Sequence, residues 1–347
     1  MARAGATRDV LAAEELAVVL SHFGIGVLES VTEFPKGSRK APKMLVAAEQ
    51  GKFLLKRRAK GRDDPFKVAF CHAIQLHLAA KGFPLPSLIG TKADNNSMLQ
   101  WRGHVYELFE FIQGQPYPQT SDSTRDSGRV LAVFHGLLEG FRSEWQPGGG
   151  SYHNSQYVDQ AVKQIPEKVA RGNGDVEGTL GYLFEMYQTC AAEVEKGGIA
   201  TWPNQVVHGD WHPGNMLFRD DAVVAVIDYD SARILPRAID VANGALQFSI
   251  IGEEEDVSFW PAHLDENRYR AFLAGYDSVM LVSKAEMRML PWLMIEALIA
   301  EAVIPIAATG MFGRTEGMKF LEMVKRKVAW LKENSAKLGA EIPTPVS

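Results

Sequence analysis

Apolar and polar residues follow two different patterns along the chain. Up to about residue 112, short apolar runs alternate with turn residues, which predicts strands over 27–34, 43–48, 52–56, 87–89, 97–101 and 105–112. Residues 49–51, Glu-Gln-Gly, predict a hairpin turn between the second and third strands. One helix is predicted over 65–81, because four apolar residues recur at helical spacing: Phe66, Phe70, Ile74 and Leu78.

The rest of the chain is mainly helical by the same criterion. Helical periodicity predicts helices over 126–139, 178–194, 286–308 and 315–334. The Gly- and Ser-rich stretch 143–154 predicts a loop. The change of pattern places a domain boundary near residue 113 and divides the chain into 1–112 and 113–347. We therefore predict an α+β fold, with a small antiparallel sheet first and a larger helical part after it.

Composition and charge exclude several classes of protein. The chain has 347 residues, of which 46% are hydrophobic and 23% are charged, so it is neither disordered, collagenous nor a coiled coil. Its net charge of −5 gives no overall basic field, so we expect no nucleic-acid partner. The two cysteines, Cys71 and Cys190, cannot form a disulfide framework and fit a reducing compartment.

Two apolar segments could be mistaken for a signal peptide or a membrane span, and charged residues argue against both interpretations. Glu14 and Glu15 interrupt the apolar run near the N-terminus, which argues against a signal peptide and suits a short surface helix. The most apolar stretch, Met289–Ala308, contains Glu296 and Glu301, which favours a buried core helix over a membrane span. We predict a cytoplasmic protein with no membrane partner.

The segment 206–233 concentrates the polar residues that can carry chemistry. Strand-like runs at 216–218 and 223–227 flank a turn, and Asp228 follows the second run directly. A hairpin here would bring Asn215 close to Asp228. A carboxamide and a carboxylate within reach of each other form the hard oxygen site that magnesium prefers.

The spacing in this segment is that of a phosphoryl-transfer site. Asp210 lies five residues before Asn215, so it can stay off the metal and accept a hydroxyl proton. His-x-Asp-x-x-x-x-Asn over 208–215, followed by an apolar strand that ends in Asp, matches the catalytic loop and metal-binding strand of protein kinases. The alternative that these residues only cap turns is disfavoured by their joint spacing. A zinc site on His208 and His212 is disfavoured because the intervening sequence is not helical.

Three strings together carry a resemblance to a known superfamily. HGDWHPGNMLF (208–218), VIDYDSAR (226–233) and the Pro-Arg-x-x-Asp that ends at Asp240 closely resemble the aminoglycoside phosphotransferases and choline kinases. Leu54–Arg57 and Gly82–Pro86 look most like the spore-coat kinase and type II homoserine kinase branch. The resemblance implies a bilobal, protein-kinase-like fold and phosphorylation of a hydroxyl group of a small metabolite, either an amino alcohol or a sugar-like compound.

The resemblance also assigns roles to individual residues. It implies that Asp210 is the catalytic base and that Asn215 and Asp228 are ligands of Mg²⁺. It implies ATP as the phosphoryl donor and leaves GTP open. By the same resemblance, Asp240 anchors the catalytic loop by hydrogen bonds, and His208 is structural.

Lys56 matches the family's phosphate-binding lysine, but its usual partner is missing. In the family that lysine pairs with a Glu in the following helix. Here the helix 65–81 contains no acidic residue, and His72 or Gln75 falls near the expected place. This leaves open whether Lys56 pairs with a carboxylate from elsewhere in the chain, for example Asp63 or Asp64, or with none.

The expected glycine-rich phosphate loop is also altered. Residues 34–43 contain one glycine and four basic residues. The backbone N–H groups of Gly37 and Ser38 are candidates for holding phosphate. For Lys40 and Lys43 we expect a solvated loop.

The segment after the last predicted strand matches the family's adenine-binding linker. The resemblance implies that the carbonyl of Glu110 and the amide of Ile112 hold the base. The acceptor and the oligomeric state are left open by the sequence. Candidate acceptor-pocket residues, chosen by position alone, are Tyr152, His153, Tyr157, Trp260 and Arg268.

Two other functions compete with phosphorylation of a metabolite. An antibiotic phosphotransferase would need an acidic pocket, which the acidic run Glu253–Asp256 is positioned to line, although such runs are more often solvated. A regulatory pseudokinase would explain the altered phosphate loop and the missing helix Glu. The presence of Asp210, Asn215 and Asp228 argues against it.

Overall fold

The computed structural model describes residues 9–35, 40–169, 175–252 and 254–340. The chain divides into two compact units. Unit 1 comprises Met1–Gln115, Arg142–Pro147 and Val224–Asp230, and unit 2 comprises Pro116–Phe141, Gly148–Val223 and Ser231–Ser347. Unit 1 therefore includes Asp228 and Asp230 as well as the N-terminal part of the chain.

Unit 1 is built on a five-stranded antiparallel sheet in the order β1-β2-β3-β5-β4. Its strands are β1 (Leu28–Glu33), β2 (Lys43–Ala48), β3 (Gly51–Arg57), β4 (Leu99–Trp101) and β5 (His104–Glu110). The predicted hairpin between β2 and β3 is confirmed, because Ala48 pairs with Gly51 across a two-residue turn. The register places Lys56 between Lys43 of β2 and Glu107 of β5.

The helices of unit 1 are α1 (Ala13–Ser21) and α2 (Pro65–Ala80). α2 begins at Pro65. The residue before it, Asp64, caps the helix by accepting a hydrogen bond from the backbone N–H of Phe66. The predicted apolar stripe is confirmed at three of its positions, which are buried: Phe70, Ile74 and Leu78. It is wrong at Phe66, which is 67% exposed and packs on Trp145 instead.

The strand predicted over 87–89 is wrong. Leu88 forms only an isolated bridge with Phe109 of β5. Two backbone hydrogen bonds, Ile89 N to Leu108 O and Glu110 N to Ser87 O, hold the segment along β5. Proline at the preceding position has no N–H to donate, so the pairing does not extend into a strand.

Unit 2 is mainly helical, which with the sheet of unit 1 confirms the predicted α+β class. Its helices are α3 (Ser121–Leu137), α4 (Gln156–Gln164), α5 (Val176–Lys196), α6 (Ala238–Gln247), α7 (Glu266–Asp277), α8 (Lys284–Thr309), α9 (Gly317–Glu333) and α10 (Ser335–Leu338). The predicted helices correspond to α3, α5, α8 and α9. The sequence patterns did not predict α4, α6 or α7.

The remaining strands form three two-stranded sheets. The pairs are β6 (Asn204–Val207) with β9 (Arg233–Pro236), β7 (Met216–Arg219) with β8 (Ala222–Val226), and β10 (Met311–Phe312) with β11 (Thr315–Glu316). The hairpin of β7 and β8 was predicted from the sequence. It is followed directly by Ile227 and Asp228.

The long apolar helix α8 is a core helix, as predicted. Within the described ranges it is the one helix long and apolar enough to cross a membrane, yet 72% of its most apolar window is buried in the protein. It starts with a capping box between Ser283 and Glu286 and ends at Gly310, whose φ is 76°.

α3 and α7 contact each other directly through their backbones. A Cβ atom on Gly128 of α3 would lie 1.9 Å from the carbonyl oxygen of Phe272. A Cβ atom on Gly275 of α7 would lie 1.9 Å from the carbonyl oxygen of Arg125. The approach of the two helices therefore requires glycine at both positions.

This packing gives a stability prediction with a control on the same helix. Gly128→Ala should lower the free energy of unfolding by about 1–3 kcal/mol, because the new methyl group forces the helices apart. Gly136→Ala should be neutral or slightly stabilising, since its nearest non-local neighbour, the Met280 sulfur, lies 3.8 Å from the added Cβ. Urea unfolding of both variants measures this. Equal unfolding midpoints would contradict the tight packing.

Candidate active site

The loop after β6 is held by a buried carboxylate of α6. Both oxygens of Asp240 accept backbone hydrogen bonds, from His208 N at 2.6 Å and from Gly209 N at 2.8 Å. His135 Nε2 lies 3.2 Å from Asp240 Oδ2. Because Asp240 is fully buried, these contacts compensate its lost hydration. They confirm the expected anchoring role of Asp240 and fix the loop that carries Asp210.

Asp210 is half-buried, with a polar neighbour at each carboxylate oxygen. Asn215 Nδ2 donates to Oδ2 at 2.9 Å and to the Asp210 carbonyl oxygen at 3.0 Å. His212 Nε2 lies 3.5 Å from Oδ1. Since His212 Nδ1 accepts from Gly214 N at 3.0 Å, a neutral His212 carries its proton on Nε2, on the side of Asp210.

The pKa of Asp210 reflects these neighbours. Burial raises it, but the hydrogen bond and charge of His212, the charge of His208 and the hydrogen bond from Asn215 together bring it below its usual value. The carboxylate is therefore ionised at neutral pH. An ionised, half-buried carboxylate is suited to accept a hydrogen bond from a hydroxyl group and then its proton.

Asn215 and Asp228 are each suited to hold a hard metal ion. The side-chain nitrogen of Asn215 donates both of its hydrogen bonds to Asp210. Its Oδ1 accepts no hydrogen bond from the residues described. Asp228 is exposed, and within the described part of the chain its carboxylate forms no hydrogen bond or ion pair. Its φ of 65° lies in the left-handed region, which is uncommon for a non-glycine residue.

The donor atoms of Asn215 and of Asp228, each taken by itself, match magnesium better than zinc. The described residues contain no group of three or more His, Cys, Asp or Glu side chains arranged to hold a metal. Magnesium needs few protein ligands, because water and substrate phosphates complete its shell. A carboxamide oxygen and a carboxylate are the donors that it prefers.

Lys56 of β3 has two acidic neighbours, and neither comes from α2. Its Nζ lies 3.3 Å from Asp230 Oδ2 and 3.8 Å from Glu107 Oε2. Burial lowers the pKa of Lys56, but the charges of these two carboxylates raise it by more. The pKa therefore lies above its usual value, and the side chain stays charged. Asp63 and Asp64 are wrong as partners, because both accept local backbone hydrogen bonds at the start of α2.

Arg58 joins the same network. Its Nη2 donates to Glu107 Oε1 at 2.8 Å and to Asp230 Oδ1 at 2.7 Å. His72 of α2 stands near the position where the family resemblance expects Glu, and its Nε2 lies 2.7 Å from Glu107 Oε1. One of the two acids that balance Lys56, Glu107, is therefore on a strand, and the helix contributes a histidine that contacts it.

Glu107 is the centre of this network. It is fully buried, which alone would raise its pKa. The charge of Lys56, the hydrogen bond from His72 and the charge of Arg58 outweigh burial and hold the pKa well below its usual value. Glu107 is thus a permanent anion, and its charge keeps the lysine and arginine in place.

The other predicted nucleotide-binding residues have mixed outcomes. Gly37 and Ser38 lie outside the described residues. Lys43 belongs to β2 and is half-buried opposite the β3 lysine, so the expectation of a solvated loop is wrong for it. Burial and that lysine lower the pKa of Lys43. Glu110 is the last residue of β5, and Ile112 follows two residues later.

Unit 2 contains a cavity of about 320 Å³ beside the catalytic loop. His212, Pro213 and Gly214 of the loop contribute to its lining. Trp260 and Arg268, two of the residues chosen by position, also line it.

The other three residues chosen by position do not line this cavity. Tyr152 donates to the Ile239 carbonyl, and His153 contacts the buried Glu296. Tyr157 is 57% exposed. Tyr152 and His153 therefore hold the 143–154 loop in place.

The sequence did not predict Glu107, Asp230 or Glu301 as site residues. Glu107 and Asp230 contact Lys56, and Glu301 lines the cavity of unit 2. Glu107 carries a usable signal, since it is an acid inside an otherwise buried strand. Glu301 carries a similar one, as a carboxylate inside an apolar helix, and the structure places it in the cavity wall. Asp230 had no distinguishing signal, because only the fold brings it to Lys56.

The fold and the loop chemistry together define a phosphotransferase with a protein-kinase-like architecture. The model of the phosphotransferase enzyme family APH matches residues 30–289. The chain belongs to this family and is a small-molecule kinase that uses an alcohol group as acceptor. Membership implies a nucleotide substrate and a divalent metal.

Individual proteins similar to this chain agree with the family. The homoserine kinase of Phenylobacterium zucineum strain HLK1 is 26% identical over 285 residues, covering 80% of each chain. A crystal structure of an aminoglycoside phosphotransferase from Alicyclobacillus acidocaldarius has a TM-score of 0.68 at 17% identity, covering 97% of this chain and 100% of that one. A microcompartment-associated aminopropanol kinase has a TM-score of 0.69 at 15% identity, covering 95% and 99%. The two structures show the fold.

The buried network around Glu107 gives a prediction about stability. Glu107→Ala should destabilise the protein by about 3–5 kcal/mol, because it leaves Arg58 and Lys56 as poorly compensated buried charges. Glu110→Ala on the same strand should change stability little, since Glu110 is exposed. Thermal unfolding of the two variants checks this. A melting temperature for Glu107→Ala equal to that of the control would show that the network contributes no stability.

Proposed function

We propose that this protein is an ATP- and Mg²⁺-dependent kinase that phosphorylates the hydroxyl group of a small, amine-bearing metabolite of the homoserine or amino-alcohol type. The observation that carries the proposal is the state of Asp210. It is ionised, half-buried and fixed by Asn215, on a loop that the buried Asp240 anchors. A base prepared in this way, inside a family of small-molecule kinases, supports direct transfer to an alcohol.

In the proposed reaction, Asp210 accepts a hydrogen bond from the acceptor hydroxyl and orients it toward the γ-phosphorus. The oxygen–phosphorus bond forms while the bond from the γ-phosphorus to the bridging oxygen breaks, and ADP leaves. The hydroxyl proton passes to Asp210. Asn215 and Asp228 would hold Mg²⁺, which supplies charge neutralisation at the phosphates.

For the nucleotide, we assign phosphate binding to Lys56, kept charged by Glu107 and Asp230. The backbone of Gly37 and Ser38 would supplement it. The carbonyl of Glu110 and the amide of Ile112 would hold the base. The side chains of Glu110 and Ile112 would take no part in this contact, and GTP stays open as an alternative donor.

This assignment gives residues 1–112 the role of a nucleotide-binding lobe and residues 113–347 that of a catalytic and acceptor-binding lobe. The similar proteins named homoserine kinase and aminopropanol kinase support an amine-bearing acceptor. A small acceptor of this kind also supports a cytoplasmic location.

The size of the cavity and the position of the acidic run favour a metabolite over an aminoglycoside. The cavity of about 320 Å³ lies at the lower end of ligand pockets, which span about 300–1,000 Å³. The acidic run does not supply an acidic wall, because its described members, 254–256, do not line this cavity. Asp256 instead caps a turn and pairs with Lys319 at the surface.

The first test removes the base. Asp210→Asn should lower kcat by about 10²- to 10⁴-fold and leave the Kd for ATP almost unchanged. Asp220→Asn, an exposed turn residue with φ of 53° that Asn tolerates, should behave as wild type. A coupled ADP-release assay with homoserine and 3-aminopropan-1-ol, and calorimetric titration of ATP, measure both quantities. Unchanged turnover in Asp210→Asn would refute the assignment, and a wild type that binds ATP without any turnover would indicate a pseudokinase.

The second test removes the phosphate-binding lysine. Lys56→Met should raise the KM for ATP at least tenfold, because the phosphates lose their cation. Lys52→Met on the same strand should leave the KM unchanged, since Lys52 is exposed. Steady-state kinetics at varied ATP concentration distinguishes the two. An unchanged KM in Lys56→Met would move phosphate binding to another residue.

A further inference from the structure

The cavity beside the catalytic loop has walls of opposite charge. Glu301 of α8 and Arg268 of α7 both line it, together with His212 of the loop. All of its lining residues belong to unit 2. The reaction proposed above uses Asp210 and Asn215 of unit 2 and assigns no role to Glu301 or Arg268.

Glu301 forms the acidic wall. Its carboxylate accepts hydrogen bonds from the side-chain amides of Gln247 and Asn243. No lysine or arginine within the described ranges forms an ion pair with it. Burial and the negative charge of Asp210 raise the pKa of Glu301 to about 7, against the opposing effect of His212. A cation bound here would relieve that unfavourable charge.

Arg268 forms the basic wall and has further cations behind it. It is buried and donates to Asp265 Oδ2 at 3.1 Å and to Gln119 Oε1 at 3.2 Å. Lys327 is also buried, and within the described ranges it donates to one group, the Pro261 carbonyl. Burial and the charges of Arg326 and Arg268 lower its pKa to about 8. Arg326 likewise donates to backbone carbonyls.

The two walls therefore differ in their excess charge. On the basic side, the three cations Arg268, Arg326 and Lys327 have one carboxylate contact among the described residues, that of Asp265 with Arg268. On the acidic side, Glu301 and Asp210 share no lysine or arginine contact among the residues that the structure describes. A ligand that carries both charges and a hydroxyl group complements this arrangement better than a ligand with a cation alone.

We propose that Glu301 binds the ammonium group and Arg268 the carboxylate of a hydroxy amino acid whose hydroxyl group lies at Asp210. This inference rests on the proposed function and specifies its acceptor. An amino alcohol would leave Arg268 without its anion, and a hydroxy acid would leave Glu301 without its cation. Apolar contact with the carbon chain would come from Trp260, which lines the same cavity.

The experiment compares three acceptors that differ by one charged group. Homoserine carries the hydroxyl, the ammonium and the carboxylate; 3-aminopropan-1-ol lacks the carboxylate, and 4-hydroxybutanoate lacks the ammonium. The kcat/KM is measured for each with Mg-ATP, or the inhibition constant against homoserine for an analogue that is not phosphorylated. In the wild type, homoserine should exceed either analogue by about 10- to 100-fold, the value of one charge-assisted hydrogen bond.

Each variant should lose selectivity for one charged group of the acceptor, either the ammonium or the carboxylate. Glu301→Gln should reduce the preference for homoserine over 4-hydroxybutanoate by about tenfold or more and preserve the preference over 3-aminopropan-1-ol. Arg268→Gln should do the reverse. Arg268→Lys, which keeps the charge and disturbs Asp265 and Gln119 less, should show the same change to a smaller extent. Arg270→Gln on α7 and Glu322→Gln on α9, both exposed, serve as controls.

Several outcomes would overturn the proposal. Equal use of homoserine and an analogue by the wild type would do so, as would variants that lose activity on all three compounds uniformly while retaining the wild-type melting temperature. If the wild type hydrolyses ATP, Asp210→Asn does not, and none of the three compounds is phosphorylated, this acceptor assignment fails while the kinase assignment stands. Absence of any Asp210-dependent ATP turnover would overturn the proposed function itself.

Discussion

A buried carboxylate, that of Asp240, orders the catalytic part of unit 2. It sits in the first turn of α6 and holds two consecutive backbone N–H groups, those of His208 and Gly209. Gly209 has a φ of 76°, and a Cβ there would lie 2.3 Å from the Ser231 carbonyl oxygen, so this conformation of the loop requires glycine. With residues 208 and 209 fixed, the position of Asp210 follows from chain geometry alone. The chemistry therefore depends on a residue that touches no substrate.

Three carboxyl groups of unit 2 differ in role because their surroundings differ. Asp240 is buried and satisfied by backbone donors, so it serves as an anchor. Asp210 is surrounded by donors that keep its pKa low, which suits a base. Burial and the repulsion of Asp210 raise the pKa of Glu301 to about 7, against the effects of His212 and of its two amide donors. Hydrogen-bond donors and nearby charge distinguish the three.

Features encoded by neighbouring residues were predictable from the sequence, and those created by distant contacts were not. The catalytic loop was identified because its spacing specifies its geometry, and α8 and α9 because their apolar residues recur periodically. α7 was missed because its buried positions include Arg268 and Gly275, which packing requires but periodicity does not mark. The pairing of Lys56 with Glu107 depends on strand register, which one sequence does not specify.

That register has a consequence for control of the enzyme. In protein kinases the partner of the phosphate-binding lysine stands on a helix whose placement is regulated. Here Lys56 and Glu107 face each other on adjacent strands, so their pairing is complete as soon as the sheet has formed. A shift of α2 would displace His72 and leave the lysine with its acid. The ion pair of Lys56 and Glu107 is therefore formed within the sheet and not by the placement of α2, unlike the lysine–glutamate pair of protein kinases.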